Sequence, residues 1–536
     1  MIMRFYPASL DALLVELENL DETLALFDSL QQEPIFGVQE LVPAARTVLV
    51  HFRPSAISSQ ALAAQIAVRD VHGKVREAGK LIDIAVHYNG EDLDDVAREL
   101  GISTEEVIQR HTGSDYKVAF CGFAPGFAYL SGGAEFVVPR RSTPRTRIPA
   151  GAVALAGGFS GIYPQASPGG WQIIGVTEAK MWDLERDEPA LLQPGYRVRF
   201  HDAGPLVSKT VSVAAPNRVQ TSPLTGDYLE VVSPGLQTLL QDLGRPGRAG
   251  QGVSGSGAMD RGALRAANRA VGNDPASACL EVLMGGLTFT CHGQAVAAVT
   301  GATAALEVRT AEGRLLRPAL YVPFMLQDGD QVSIGSLSAG LRNYVAVRGG
   351  FAREPVLGSL STDTLAHVGP APLAAGECLA IQQRSGGEAV SVSEQQAFEM
   401  PSADQIITLD VVMGPRSDWF TADAQALLGQ QTWRVTPQSN RIGIRLAGDT
   451  ALERTITGEL PSEGTTVGAI QVPPSGQPVL FLADHPLTGG YPVIAVVAPY
   501  HLDLAGQIPV NSRIRFNPLG AFEPVCPALS DETDNS

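Results

Sequence analysis

Apolar residues recur at helical spacing over residues 11–18 and 21–30, each run beginning at an acidic residue that can cap a helix start. Strict alternation takes over at Thr47–Phe52 and predicts a strand. Helical spacing returns over 56–78 and alternation over 81–88. Two further helices are expected at Leu93–Leu100 and 103–110, the second opened by a capping box of Ser103 with Glu106. From 116 to about 200 the pattern is one of short strands broken by Gly and Pro. Residues 214–227, with Pro216, Pro223 and Gly226, mark a linker before a strand at 228–232. A Gly-rich loop over 244–257 leads into a helix over 259–271, stopped by Gly272. Strands dominate to about 381. Residues 383–403 read as a second linker, 405–516 as a last β-rich unit and 529–536 as an acidic polar tail. The chain is a β-rich α+β protein, divided as 1–90, 91–205, a linker 206–227, 228–383, a linker 384–404, 405–520 and a tail 521–536.

One part of this pattern occurs twice. Gly151-Ala152-Val153 is followed by Gly169-Gly170-Trp171, an apolar run to Val176, and Arg197-Val198-Arg199-Phe200. Gly468-Ala469-Ile470 is followed by Gly489-Gly490-Tyr491, an apolar run to Val496, and Arg513-Ile514-Arg515-Phe516. Three matches in the same order imply that 116–205 and 405–520 share one β fold. The repeated Gly-Gly-aromatic ends then read as architecture. Function is expected in the unrepeated part, residues 122–130 with the arginines of 140–147.

Composition narrows the function classes. At 536 residues the chain has room for roughly three to five domains. A net charge of −17 argues against nucleic acid, which needs a basic footprint. Lysine occurs only at 74, 80, 117, 180 and 209, so no Schiff-base or phosphate-loop lysine lies beyond Lys209. Cys121, Cys279, Cys291, Cys378 and Cys526 are scattered, without metal-site spacing, which fits a reducing compartment and no zinc. No apolar run is long enough to span a membrane, and the first twenty residues lack a signal-peptide core. A soluble cytoplasmic protein is expected, with homo-oligomerisation left open.

Four groups carry candidate chemistry. Arg140, Arg141, Arg145 and Arg147 are interleaved with prolines that keep them extended, an array suited to gripping carboxylate or phosphate. Charged positions on a strand edge are the plainer reading. Gln241-Asp242-Leu243-Gly244-Arg245, running on to Ser254 and Asp260, can form an anion nest before a helix. There Asp242 or Asp260 could act as base or metal ligand, although for Asp260 a helix cap is the plainer role. Asn440, Arg441, Glu463, Gln471 and Asp484 flank apolar strands as barrel-rim residues do. Ala179-Lys180-Met181 matches the surroundings of a biotinyl lysine but lies outside any carrier-like module, and reads as coincidence. No phosphate-loop, HExxH or GxSxG motif is present.

The run from Phe120 through Gly122, Pro125 and Gly126 to Leu130, with Pro139-Arg140-Arg141, Pro149-Ala150-Gly151 and Gly170-Trp171, resembles the KipI or allophanate-hydrolase-subunit-1 family. This family also contains the B-type subunits of 5-oxoprolinase, and the resemblance covers about 1–205. Residues 233–273, Ser439-Asn440-Arg441, Ser462-Glu463-Gly464, Ile470-Gln471 and Gly489-Gly490-Tyr491 resemble the KipA or allophanate-hydrolase-subunit-2 family, that of the C-type subunits, over about 228–520. The chain departs from that pattern at His485-Pro486-Leu487 and at Leu360. The resemblance implies cyclophilin-like β-barrel domains with smaller mixed α/β domains, and kinship with the carboxyltransferase region of urea carboxylase. It further implies ATP-dependent hydrolysis of 5-oxo-L-proline, with Mg, alongside a separate LamB/YcsF-type A subunit. On that footing Arg140, Arg141 and Arg145 are expected to face anionic groups while 244–257 cradles substrate or phosphate. Carboxyl transfer and KipI-type inhibition of a histidine kinase are the competing readings.

Overall fold

The structure, a computed structural model, describes residues 3–72, 79–133, 136–141, 143, 145–205, 226–382 and 389–528. Lys74 and Lys209, most of the first expected linker, part of the second and the last eight residues of the tail lie outside the described residues.

The chain opens on an antiparallel sheet in the order Arg4–Ser9, Ala12–Glu16, Thr47–Phe52, Val38–Pro43. Helices Leu20–Gln32 and Ser59–Ala67 share its core. The helix expected over 11–18 is therefore a strand. Leu13 and Val15 point into the core beneath the helices, while Ala12 and Leu14 pack on the other face against Ala249 and Leu487. With both faces covered, polar alternation vanishes and periodicity cannot separate strand from helix. Asn19, rather than an acidic residue, caps the next helix by accepting from Glu22 N at 3.0 Å. At the later helix, Ser103 accepts from Glu106 N at 3.2 Å, but the Glu106 carboxylate turns to Arg110, so only half of the capping box forms.

Two seven-stranded barrels carry the repeat. In the first, the strands run Leu81–Val86, Gln172–Val176, Ala152–Ala156, Phe159–Ile162, Ala128–Ser131, Tyr116–Cys121 and Arg197–Asp202. The last lies parallel to the first, and reciprocal His87–Val176 hydrogen bonds of 2.8 and 2.9 Å join the sheet's ends. The second runs Ile406–Met413, Val493–Val497, Ala469–Gln471, Val479–Phe481, Gly443–Ala447, Trp433–Val435 and Arg513–Pro518, closed and again parallel at the seam. The order is the same strand for strand. Gly151 (φ 80°) and Gly468 (φ 87°) hold equivalent turns in the left-handed region, which a side chain would strain. Leu81–Val86, assigned from sequence to the N-terminal unit of 1–90, thus belongs to the first barrel.

Between the barrels in sequence stands a nine-stranded sheet dominated by Ala295–Arg309 and Gln331–Val347, with helix Arg261–Val271 packed on it. Asp260 caps that helix through Ala263 N at 2.8 Å, and Gly272 (φ 71°) ends it.

The N-terminal and C-terminal halves are pressed together by close backbone approaches. A Cβ on Gly464 would lie 2.7 Å from Leu49 Cβ, and one on Gly252 would lie 2.5 Å from the Ala124 carbonyl oxygen. Residues 521–528, expected within the acidic tail 521–536, cross the N-terminal unit, where Val525 N donates to Phe5 O at 2.8 Å and Ala528 N to Gln60 O at 3.1 Å. Among the described residues no helix is long and apolar enough to cross a membrane. Gly252→Ala should cost about 1–3 kcal/mol in chemical denaturation, since φ is 76° and the obstacle is backbone. Gly250→Ala, whose Cβ meets nothing within 4 Å, should stay within about 1 kcal/mol of wild type.

Candidate functional site

The two barrels face each other across a cleft of about 480 Å³. The first barrel contributes Phe123, Phe127, Tyr129, Tyr163 and Trp171, with Arg140 and Arg141 at the edge. Phe127 meets Trp171 edge-on at 5.3 Å and Tyr163 edge-on at 5.2 Å, an aromatic wall held by edge-to-face contacts. The second barrel contributes Arg454, Glu459, Ser462, Gln471, Thr488 and Tyr491. Gly169-Gly170-Trp171 and Gly489-Gly490-Tyr491 both line the cleft, so the repeated motif builds the site as well as the barrels. A Cβ on Gly490 would collide with Arg140 Nη1; glycine leaves room for that guanidinium. Phe123 is held at φ 64° while its N–H donates to Thr488 Oγ1 across the junction at 3.1 Å, a strained residue on the cleft wall.

The arginine cluster divides. Arg145 reaches Asp92 with Nη1 at 2.7 Å and Nη2 at 2.9 Å, and Arg141 Nη1 donates to the same carboxylate. Ile173 N adds a bond of 2.7 Å. Burial opposes the Asp92 charge, but the Arg145 and Ile173 hydrogen bonds and the two guanidinium charges outweigh it and hold its pKa below the usual carboxylate range. The expectation that Arg141 and Arg145 face a ligand is thus corrected for Arg145 and weakened for Arg141, because their anion is within the chain. Arg147 is exposed. Arg140 keeps spare donors: Nη2 donates to Ser462 Oγ at 3.3 Å, and its nearest carboxylate, Glu459, is 4.0 Å away.

The Gly-rich loop also finds its anion at home. Gly247 N and Ala249 N donate to Glu40 Oε1 at 2.9 and 3.1 Å, so the expected nest exists but holds a carboxylate of the N-terminal unit. Gly244 donates to Asp242, whose carboxylate also takes Ser359 Oγ, Ser361 Oγ and Leu360 N. Gln241 is buried on the Thr362 carbonyl. Gly122, Pro125 and Gly126 pack on the C-terminal half, with Gly126 N donating to Gln251 O at 3.0 Å.

Most of the remaining candidates are engaged in ion pairs or hydrogen bonds within the chain, away from the cleft. Arg441 holds Asp484 with two bonds of 2.9 and 3.0 Å and also reaches Glu281. Asp484 further takes Ser256 Oγ at 2.6 Å and Thr364. Arg245, buried, donates to the Ser361 carbonyl, and Ser254 donates to Asp363 at 2.8 Å. Asn440 caps its own turn through Ile442 N. Burial, and then the Asp503 charge, raise Asp260 to about 7, but its two oxygens are taken by Ala263 N and Gln507 Nε2. Glu463 is gripped by Arg416. Of the remaining candidates Gln471 alone, with Nε2 on the Tyr491 carbonyl at 2.9 Å, joins Arg140 and Arg141 at the cleft.

Residues 251–518 match the family described as carboxyltransferase domain, subdomain A and B, and residues 3–192 match carboxyltransferase domain, subdomain C and D. The chain belongs to the carboxyltransferase domain family. This carboxyltransferase-domain chain is 33% identical to the C subunit of 5-oxoprolinase from Escherichia coli over 293 residues, 54% of this chain and 90% of that protein. It is 43% identical to the B subunit of 5-oxoprolinase from Haemophilus influenzae over 172 residues, 31% of this chain and 78% of that protein. Urea amidolyase of Saccharomyces cerevisiae matches at 32% over 311 residues, covering 54% of this chain but 16% of that protein. The crystal structure of TTHA0988 superposes with a TM-score of 0.79 at 32% identity, over 95% of this chain and 100% of that one.

In the cleft of this carboxyltransferase-domain chain, two of the lining arginines already have partners within the chain. Arg141 is paired to Asp92, and Arg454 donates to the Val472 carbonyl. Among the described residues no cluster of His, Cys, Asp or Glu could hold a metal ion. Sequence reasoning missed Asp92, Glu40, Arg454 and Glu459. Asp92 immediately precedes a helix, where an acidic residue ordinarily caps, yet it makes no capping bond. Asp92→Asn should lower stability by about 1–3 kcal/mol, the cost of weakening charge-assisted hydrogen bonds to two half-buried guanidiniums. Because the folded pKa is depressed, the wild-type advantage should be full above pH about 4 and shrink as pH falls through that folded pKa. Denaturant melts of both proteins from pH 7 to 3 check this.

Proposed function

We propose that this chain is the fused B–C component of an ATP-dependent 5-oxoprolinase, opening 5-oxo-L-proline to L-glutamate together with a LamB/YcsF-type A subunit. The observation that carries the reading is that the cleft has one wall from each half, while relatives of the chain are the B and C subunits of 5-oxoprolinase. Neither half alone holds a complete site. The aromatic wall suits the apolar face of a five-membered ring, Arg140 its carboxylate, and Ser462 with the Gln471 side-chain amide its lactam group. A lactam is a poor electrophile, so its hydrolysis is coupled to ATP with Mg in the proposed reaction. In this reading the role of the chain is to hold and orient the lactam.

Carboxyl transfer is the second reading, favoured by both family descriptions and by the urea amidolyase match. The same cleft would then take a carboxyl acceptor, and a biotin carrier would have to come from another chain. Combining the protein with an A-type subunit, 5-oxo-L-proline, ATP and Mg should yield glutamate only when all are present. No glutamate from folded components would overturn the proposal. Carboxylation that needs bicarbonate and a biotin carrier would favour the second reading. In the reconstituted system Arg140→Ala should lower kcat/KM about 10- to 100-fold, the size of one lost charge-assisted contact, with an unchanged circular dichroism spectrum.

A further inference from the structure

Three arginines line the cleft, and they differ in how firmly they are engaged. Arg141 is locked on the buried Asp92, and Arg454 donates to the Val472 carbonyl while its guanidinium lies over the Tyr491 ring. Among the described residues Arg140 has a single side-chain hydrogen bond, to Ser462, and its ionic partner Glu459 stands 4.0 Å off, beyond hydrogen-bond reach. The Glu459 side chain is 57% exposed, against 1% for Asp92. Its position is nevertheless defined. Glu459 ends an exposed arch, 455–459, anchored on one side by Thr455 N on the Trp419 carbonyl at 2.9 Å. On the other side the chain turns into buried Leu460 and then Ser462, whose carbonyl accepts from Ala45 N at 3.1 Å. The arch thus keeps one carboxylate beside the most lightly held guanidinium of the cleft, without bonding it.

We propose that Glu459 is a placeholder carboxylate that competes with the ligand's carboxylate for Arg140, and so sets how strongly the cleft prefers anionic over neutral ligands. The proposal rests on the reading of the cleft as the site for the lactam. An arriving carboxylate that makes charge-assisted hydrogen bonds displaces Glu459 towards water, at little loss, because the pair it breaks is long and solvated. Two anions beside one guanidinium repel, and that repulsion is the penalty Glu459 imposes. It acts through solvent and is screened by salt. Glu459 is therefore a specificity residue, whereas Arg140 is the residue that touches the ligand.

The test uses the full chain and two probes, 5-oxo-L-proline and its uncharged carboxamide, titrated calorimetrically into wild type, Glu459→Gln and Arg140→Ala. Glu459→Gln should bind the carboxylate probe about three- to tenfold more tightly at low salt and the carboxamide unchanged. The gain should collapse at about 0.5 M salt. In the reconstituted assay KM should fall by the same factor with kcat unchanged. If Arg140→Ala loses the carboxylate probe but Glu459→Gln matches wild type, or tightens both probes equally, the placeholder role is wrong and the cleft reading stands. If Arg140→Ala binds the carboxylate probe as wild type does, the cleft reading falls and takes this proposal with it.

Discussion

Arg416 is the contact on which the geometry of the site rests. Its buried guanidinium grips Glu463 of the second barrel through Nε at 2.9 and 3.0 Å and Glu16 of the N-terminal sheet through Nη2 at 2.8 Å. Burial works against its charge, but Glu463 and Glu16 more than compensate and raise its pKa above the usual arginine value. The residue before Glu463 is Ser462, which touches both Arg140 and Tyr129 across the cleft. One buried triad thus joins two halves remote in sequence and sets the width of the space between them. Removing the arginine would leave two carboxylates facing each other in a dry interface, which is why such a tie is all-or-none.

The same rule runs through the molecule. Arrays that look built for an external anion are satisfied internally: Arg141 and Arg145 by Asp92, the Gly247–Ala249 nest by Glu40, and Arg441 by Asp484. In a chain of net charge −17, carboxylates outnumber the cations that could pair with them. What distinguishes the arginines here is how firmly their partners hold them, and at the cleft Arg140 is held most loosely. The cleft then acquires its character from unequal walls, aromatic on one side and polar on the other, each supplied by a barrel of the same topology.

How much of this was legible in the sequence depended on the range of the interaction. The repeat was readable because each barrel needs the same glycine turn, the same apolar strand after a Gly-Gly-aromatic and the same alternating final strand. The helix at 261–271 was readable from Asp260 and Gly272, which act within a turn of the residues they cap. The strand at 12–16 was not, because the apolar surface covering its second face comes from Ala249 and Leu487. The docking of residues 521–528 was not legible either, because their partners, Phe5 and Gln60, lie roughly five hundred positions earlier in the chain.

The sequence by itself determined the β-rich class, the duplicated barrel, the family resemblance and a set of residues able to bind anions. It could not say which of them would be left free to do so. Bonding capacity is a local property of a side chain, whereas its exhaustion depends on which carboxylate the fold carries to it. Asp92, Glu40 and Glu16 reach their partners only when the barrels close and the halves dock. The tertiary structure alone therefore moved the candidate site from a cluster of arginines to a cleft in which Arg140 is the arginine held most loosely.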